Sequence, residues 1–199
     1  MFLILILYKM NNIQKFKLSE EHIVYKIKYN EQYNKDSFIK RIYDNRGVIY
    51  KKPFKHVEDK ILIKCDEFKS VDDYVIKALE VIENKEIKKF AKSSWVYTQK
   101  KDFNMVMHNH IFLEMGVDKT KLKTDWTCVF YIQIPKNIKE GEGDIIFMTE
   151  DKKMHIFKPE ENEIIIFSGK LYHMVTQIPN AEIDRIIYAA NFNFNLKID

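Results

Sequence analysis

The chain has little of several things. Among its 199 residues are 2 cysteines, 5 glycines and 4 prolines. Cys65 and Cys128 are too few and too far apart for a disulfide framework or a cysteine-rich zinc site, so a reduced, cytoplasmic setting is the expectation. An excess of charge of one sign is also missing. The 33 basic and 29 acidic residues leave a net charge of +4, with lysines scattered along the chain rather than gathered on one stretch. A nucleic-acid partner is therefore not expected, because such binders concentrate positive charge on one face. Pairs such as Lys51-Lys52, Lys88-Lys89, Lys100-Lys101 and Lys152-Lys153 read as solvated, and a cationic groove is the minority reading. Nor is there a long apolar run. Residues 2–8 fall far short of the roughly 20 apolar residues that span a bilayer, with no basic residues before them and no small-residue cleavage site after. They read as a buried strand or an over-extended start, with no membrane role.

With 46% hydrophobic and 31% charged residues, the chain has the makeup and length of one compact globular domain. No repeat, low-complexity segment or linker divides it. The pattern nevertheless changes near Trp95, which gives a supporting region over 1–93 and a β-rich core over 94–199.

In the first part, alternation over 23–29 predicts a half-buried strand. Residues 38–43 and 48–50 flank Asp44-Asn45-Arg46-Gly47, which predicts a hairpin, and residues 61–63 predict a short strand. Ser70-Val71-Asp72-Asp73 has the form of a helix start. Beyond it Tyr74, Val75, Ala78, Leu79, Ile82, Ile87 and Phe90 recur in steps of three and four, which predicts one long helix over 74–91. In the second part, β-prone runs follow at 94–98, 104–110, 126–134, 144–149, 155–157, 163–167, 171–177 and 186–194. Strands at this spacing, separated by turns such as Gly141-Glu142-Gly143 and Ser168-Gly169, predict a mainly-β sandwich or jelly roll.

His108 and His110 stand two apart in an extended run. Alternate residues of a strand project to one side, so the two imidazoles can converge on one point. His173 and then Arg185 follow far downstream. Two imidazoles and a third protein ligand on one face of a six-coordinate iron leave three positions open for a bidentate 2-oxo acid and dioxygen. Arg185 heads an apolar strand, where an arginine is costly without an anionic partner. Its planar fork, whose charge is not lost, matches a carboxylate. Taken alone, the His108–His110 pair reads as polar residues at a strand end sooner than as metal ligands; His173 and Arg185 in order reverse that. His22, His56 and His155 have no partners in pattern and read as surface or loop residues. Trp95 and Trp126 read as core, Cys128 as a small buried residue, and Asp125 as a turn or cap residue held in reserve as a ligand. No Ser-His or Cys-His arrangement suggests a protein nucleophile.

The joint order of these pieces resembles a family of small 2-oxoglutarate- and Fe(II)-dependent oxygenases of bacteria and phages. The matching segments are Trp95-Val96-Tyr97, His108-Asn109-His110, Thr127-Cys128-Val129-Phe130-Tyr131, Gly143-Asp144-Ile145-Ile146-Phe147, Ile166-Phe167-Ser168-Gly169-Lys170-Leu171-Tyr172-His173, and Arg185 through Asn191. The resemblance covers about 94–195. It implies a double-stranded β-helix, cupin-like in form, with an α+β N-terminal elaboration. It also implies Fe(II) held by His108, His173 and His110, the last in the slot where the wider superfamily usually has Asp or Glu. Arg185 would clamp the carboxylate of 2-oxoglutarate, and Tyr131 would also bond the cosubstrate. The implied reaction consumes 2-oxoglutarate and dioxygen, releases succinate and carbon dioxide, and hydroxylates a protein side chain or small molecule that the sequence does not identify. The chain departs from the pattern in three places. The connection over 111–125 is long, which leaves Glu114, Asp118 or Asp125 open as third ligand. Ile187 replaces a serine expected to bond the cosubstrate, and the proline before Ser168 in the family pattern is absent. Two alternatives stay open: a cupin-like metal protein that uses no 2-oxoglutarate, and a non-catalytic β-sandwich binding module.

Overall fold

The computed structural model describes residues 12–44, 60–61, 68–101, 103, 105–115 and 120–194. The strands in chain order are β1 (Ile13–Lys17), β2 (Ile23–Lys28), β3 (Lys60–Ile61), β4 (Ala91–Gln99), β5 (Phe112–Met115), β6 (Thr120–Lys123), β7 (Trp126–Gln133), β8 (Ile145–Met148), β9 (Met154–Phe157), β10 (Glu163–Ser168), β11 (Tyr172–Val175) and β12 (Arg185–Asn193). The helices are α1 (Lys35–Asp44) and α2 (Lys69–Glu83). A seven-stranded antiparallel sheet runs β1-β2-β10-β7-β12-β4-β3. A second sheet, β11-β8-β9, faces it, and β5-β6 forms a hairpin. The fold is a double-stranded β-helix, as the sequence predicts, with β1 and β2 extending the larger sheet through the β2–β10 pairing. Among the described residues no helix is long and apolar enough to cross a membrane.

The central strands are apolar nearly throughout because both faces of the larger sheet are covered, and the two-residue period of a strand separates the coverings. On β12, Ile186, Tyr188, Ala190 and Phe192 join the core that includes α2 residues Val71, Val75, Ala78 and Leu79. Ile187 and Ala189, on the opposite face, join Tyr97, Val129, Tyr131, Phe147 and Phe167 between the two sheets. Arg185, Asn191 and Asn193 share that parity, so the three buried polar residues of this strand lie on the same face as Ile187 and Ala189. α2 is fixed over the sheet by more than apolar contact. Asp72 is buried, and it accepts a hydrogen bond from the Tyr188 hydroxyl at 2.6 Å and pairs with Lys92.

The N-terminal part corrects three readings of the sequence. Residues 35–44 form a helix, not the first arm of a hairpin; the second arm, 48–50, lies outside the described residues. Asn34 caps this helix by accepting the Ser37 N–H on its side chain at 2.9 Å, and Phe38 and Ile42, four apart, form its buried stripe. That spacing is helical, and the Asn34 cap outweighs the turn signal at Arg46-Gly47. The long helix begins at Lys69 and ends at Glu83, so Ile87 and Phe90 lie beyond it. Asn84 stops it in the left-handed conformation (φ 53°), and the Lys85 N–H bonds the Glu80 carbonyl at 3.1 Å. Asparagine is one of the few residues that reaches this conformation readily. His22 lies in the loop between β1 and β2, one of the two places read for it, but is buried there rather than on the surface, paired with Glu150.

Candidate active site

β11 and the extended segment before β5 bring the three histidines together. The H-x-H segment is not a full strand as its alternation predicts. It is one isolated bridge, His108 opposite His173, with the His108 N–H donating to the His173 carbonyl at 3.0 Å and the reverse bond at 2.8 Å. Two residues on, the His110 N–H donates to the Gly169 carbonyl at 2.8 Å. These bonds set His108 and His110 on one side of the segment with His173 across from them. One ligand nitrogen of each lies within 4.8 Å of the other two, and the ring centroids stand 4.4 Å (His108–His173), 5.0 Å (His108–His110) and 5.0 Å (His110–His173) apart.

The surroundings suit neutral, ligating imidazoles. His173 is buried against Phe167, with ring centroids 4.7 Å apart. Burial, and then the neighbouring rings of His110 and His108, hold its pKa well below the ordinary value, so it stays in the form that ligates. The His108 Nδ1 lies 2.8 Å from the Val106 carbonyl and the His173 Nδ1 lies 3.2 Å from the Leu171 carbonyl. A carbonyl only accepts, so each Nδ1 carries the proton and each Nε2 the lone pair, the tautomer that ordered metal sites favour.

Of the reserve ligands, Asp125 is placed otherwise. Its carboxylate accepts the Phe194 N–H at 2.8 Å, a long-range bond to the segment after β12 rather than the local turn or cap bond that the sequence suggests. The Glu114 side chain and Asp118 lie outside the described residues. The 111–125 connection, read as a loop, contains the β5-β6 hairpin. Gly169, read only as a turn residue, is a close-packing point under the site. A Cβ there would come within 2.6 Å of Thr124 Cγ2 and 2.9 Å of the His110 carbonyl oxygen. Gly169→Ala is therefore expected to push the H-x-H segment aside, weakening Mn(II) binding about tenfold and costing roughly 1–3 kcal/mol in stability from overpacking. A metal titration beside a thermal melt checks this.

Arg185 begins β12 in the interior and is 1% exposed. Its Nη1 donates to the Gly143 carbonyl at 2.8 Å, and the guanidinium sits 5.5 Å from the centroid of the Tyr131 ring. Its Nε and Nη2, like the Tyr131 hydroxyl and the Gln99 Oε1, are buried with no hydrogen-bond partner among the described residues. No carboxylate pairs with the guanidinium there either. Burial lowers the Arg185 pKa, with Tyr131, Tyr97 and Asp144 acting the other way. Burial raises that of Tyr131, against the pull of Arg185, so the phenol keeps its proton and can donate. The register sets Ile187 against Tyr131 and Asn191 against Thr127. β12 thus carries the cation at one end of the interior face and reaches the histidines at the other. The unpartnered N–H groups of Arg185 and O–H of Tyr131 are the donors an anion pocket presents, while Gln99 Oε1 is an acceptor and adds nothing to it; the three imidazoles are a donor set for a divalent metal. The residues fit both groups. The sequence missed Asn191 and Thr127, whose amide and hydroxyl meet behind His110. The only signal was a polar residue inside an apolar strand, the same signal that singled out Arg185.

No protein-family model and no curated sequence matches the chain; the similarity is to solved structures. A viral collagen prolyl hydroxylase from Paramecium bursaria Chlorella virus-1, in complex with 2-oxoglutarate, aligns with a TM-score of 0.56 at 16% identity, covering 85% of this chain and 94% of that one. A prolyl-4-hydroxylase from Pseudomonas putida aligns at 0.52 and 13% identity over 98% and 92%. HygX from Streptomyces hygroscopicus, with nickel and 2-oxoglutarate bound, aligns at 0.56 and 10% identity over 90% and 88%. At these identities the likeness is one of fold, and it extends over most of each chain.

Proposed function

We propose that this chain is an Fe(II)- and 2-oxoglutarate-dependent oxygenase that hydroxylates a protein side chain or a small molecule. The observation that carries the reading is Arg185, a buried guanidinium whose Nε and Nη2 have no partner among the described residues, in the same barrel interior as three converging histidines. An uncompensated buried charge costs several kcal/mol, and a dicarboxylate cosubstrate would relieve that cost. In this reading His108, His110 and His173 would hold the metal, and the unpartnered Nε and Nη2 of Arg185 would take a carboxylate of 2-oxoglutarate. The Tyr131 hydroxyl donates to the same carboxylate, and Phe147 and Phe167 keep water from the buried side. When bound, Fe(II) and 2-oxoglutarate supply the oxidising chemistry, in which dioxygen is consumed, succinate and carbon dioxide are released, and a substrate C–H bond becomes C–OH. Ile187 leaves one hydrogen bond to the cosubstrate unmade, which Tyr131 can replace.

Three imidazoles without a carboxylate also suit a cupin-like metal protein that uses no 2-oxo acid. Arg185 separates the two readings, because a site without a dicarboxylate does not require that cation. The test is 2-oxoglutarate turnover. Protein loaded with Fe(II) is assayed for succinate release alone and with peptides, free amino acids, small molecules and oligonucleotides. Succinate formation that needs both metal and 2-oxoglutarate, and rises with one substrate class, supports the oxygenase. Iron bound with no 2-oxoglutarate uptake gives the cupin-like alternative.

A further inference from the structure

We propose that Asn191 is a positioning residue that admits His110 to the metal by turning its carboxamide, with Thr127 as its relay; this rests on the metal-site reading above. The three histidines are not supported alike. His108 and His173 each set Nδ1 against the backbone carbonyl two residues back, Val106 and Leu171. For His110 the corresponding carbonyl is that of His108, and it already accepts the His173 N–H at 2.8 Å. A side chain takes its place. The Asn191 amide nitrogen lies 3.3 Å from His110 Nδ1, and the Asn191 Oδ1 accepts the Thr127 hydroxyl at 2.9 Å. Asn191 and Thr127 are buried and directly opposite each other in the β12–β7 register, so the amide is held at a fixed distance from the ring. Trp95 packs on His110 with ring centroids 5.5 Å apart and limits its rotation.

A carboxamide presents a donor and an acceptor at almost the same two positions, and a hydroxyl can give or receive. The same heavy atoms therefore serve two hydrogen-bond states. With the amide nitrogen toward His110, Nδ1 accepts and the ring proton sits on Nε2, the tautomer that cannot ligate through Nε2. With the amide turned, Nδ1–H donates to Asn191 Oδ1, the amide nitrogen donates to Thr127 Oγ1, and the Nε2 lone pair is available to the metal. All three imidazoles then share one tautomer. The pair Asn191–Thr127 thus lets His110 stand in a slot that a carboxylate could fill without any tautomer requirement.

The experiment compares Mn(II) binding by calorimetry to wild type, Asn191→Leu, Asn191→Asp and Thr127→Val, with His173→Ala as the control for the metal site. Imidazole ¹⁵N NMR reads the tautomer of His110 in the apo and Zn(II)-loaded protein. Asn191→Leu removes the acceptor and is expected to weaken Mn(II) about 10–100-fold, the usual cost of losing a partner behind a ligand. Asn191→Asp, an acceptor only, is expected to restore affinity to about the wild-type level or better, which a purely packing role would not do. Thr127→Val is expected to cost less than Asn191→Leu, and the His110 proton is expected to move to Nδ1 when metal binds. If Asn191→Leu does not fold, the Asn191→Asp affinity and the tautomer shift decide. Wild-type affinity in Asn191→Leu, lost binding in Asn191→Asp, or a His110 proton that stays on Nε2 in the loaded protein overturns the proposal while the metal site stands. No Mn(II) uptake by the wild type overturns the metal reading and this proposal together.

Discussion

Arg185→Met is expected to weaken 2-oxoglutarate binding by about 10²–10³-fold while leaving Mn(II) affinity within about threefold of the wild type. Breaking a buried pair between a cation and a carboxylate costs roughly 3–5 kcal/mol, and each 1.4 kcal/mol is about tenfold in affinity. The second half of the expectation concerns the protein without cosubstrate. There the guanidinium is 1% exposed with two of its nitrogens unpartnered among the described residues, so it is a burden on folding that an apolar side chain of similar length removes. Arg185→Met should therefore melt no lower than the wild type in the absence of 2-oxoglutarate and gain less stabilisation when the cosubstrate is added. A variant that melts much lower yet binds 2-oxoglutarate normally would make Arg185 a structural residue. Calorimetric titration and thermal melts with and without the cosubstrate separate the outcomes.

Removing a histidine should abolish stoichiometric metal uptake. Partners behind a metal ligand alone are worth about 10–100-fold in affinity, so loss of a ligand is expected to exceed roughly a hundredfold. The variants differ in what else they disturb. His173 is buried against Phe167, and His173→Ala leaves a cavity that lowers stability by about 1–3 kcal/mol besides removing a ligand. His108 is only partly buried, so His108→Ala should lose the metal with little change in the melt of the metal-free protein, and it is the cleaner test. Metal content after loading with Fe(II) under anaerobic conditions measures both. Full metal content in both variants would mean that the ion lies elsewhere.

How far this was legible in the sequence depends on what specified each element. From β7 onward the strands could be read because turns punctuate short β-prone runs. Their double-sided apolar character follows from a sheet covered by helices on one face and by the second sheet on the other. The site histidines could be read because strand alternation is a local rule that brings His108 and His110 to one side. The approach of His173 and the burial of Arg185 depend on tertiary pairing, which the chain shows only as an order of motifs. In the N-terminal part, local signals competed. The turn residues at Asn45-Arg46-Gly47 suggested a hairpin, while the Asn34 cap and the Phe38–Ile42 spacing made a helix. Asn84 ended α2 where the apolar period continued to Phe90, because a left-handed residue stops a helix whatever the period beyond it. The charged partner that buries His22 is 128 positions away, at Glu150, and no pattern in the sequence links the two.

The most direct test of a dicarboxylate and a metal sharing this barrel is anaerobic titration of the Fe(II)-loaded protein with 2-oxoglutarate, followed by calorimetry and by the visible absorption of the iron. The expected result is one binding event per chain, with an absorption change that requires both components and disappears in His108→Ala, while Arg185→Met shifts the binding event to much higher 2-oxoglutarate concentration. Iron bound by His108, His110 and His173 with no response to 2-oxoglutarate, or a response unchanged in Arg185→Met, would contradict the account.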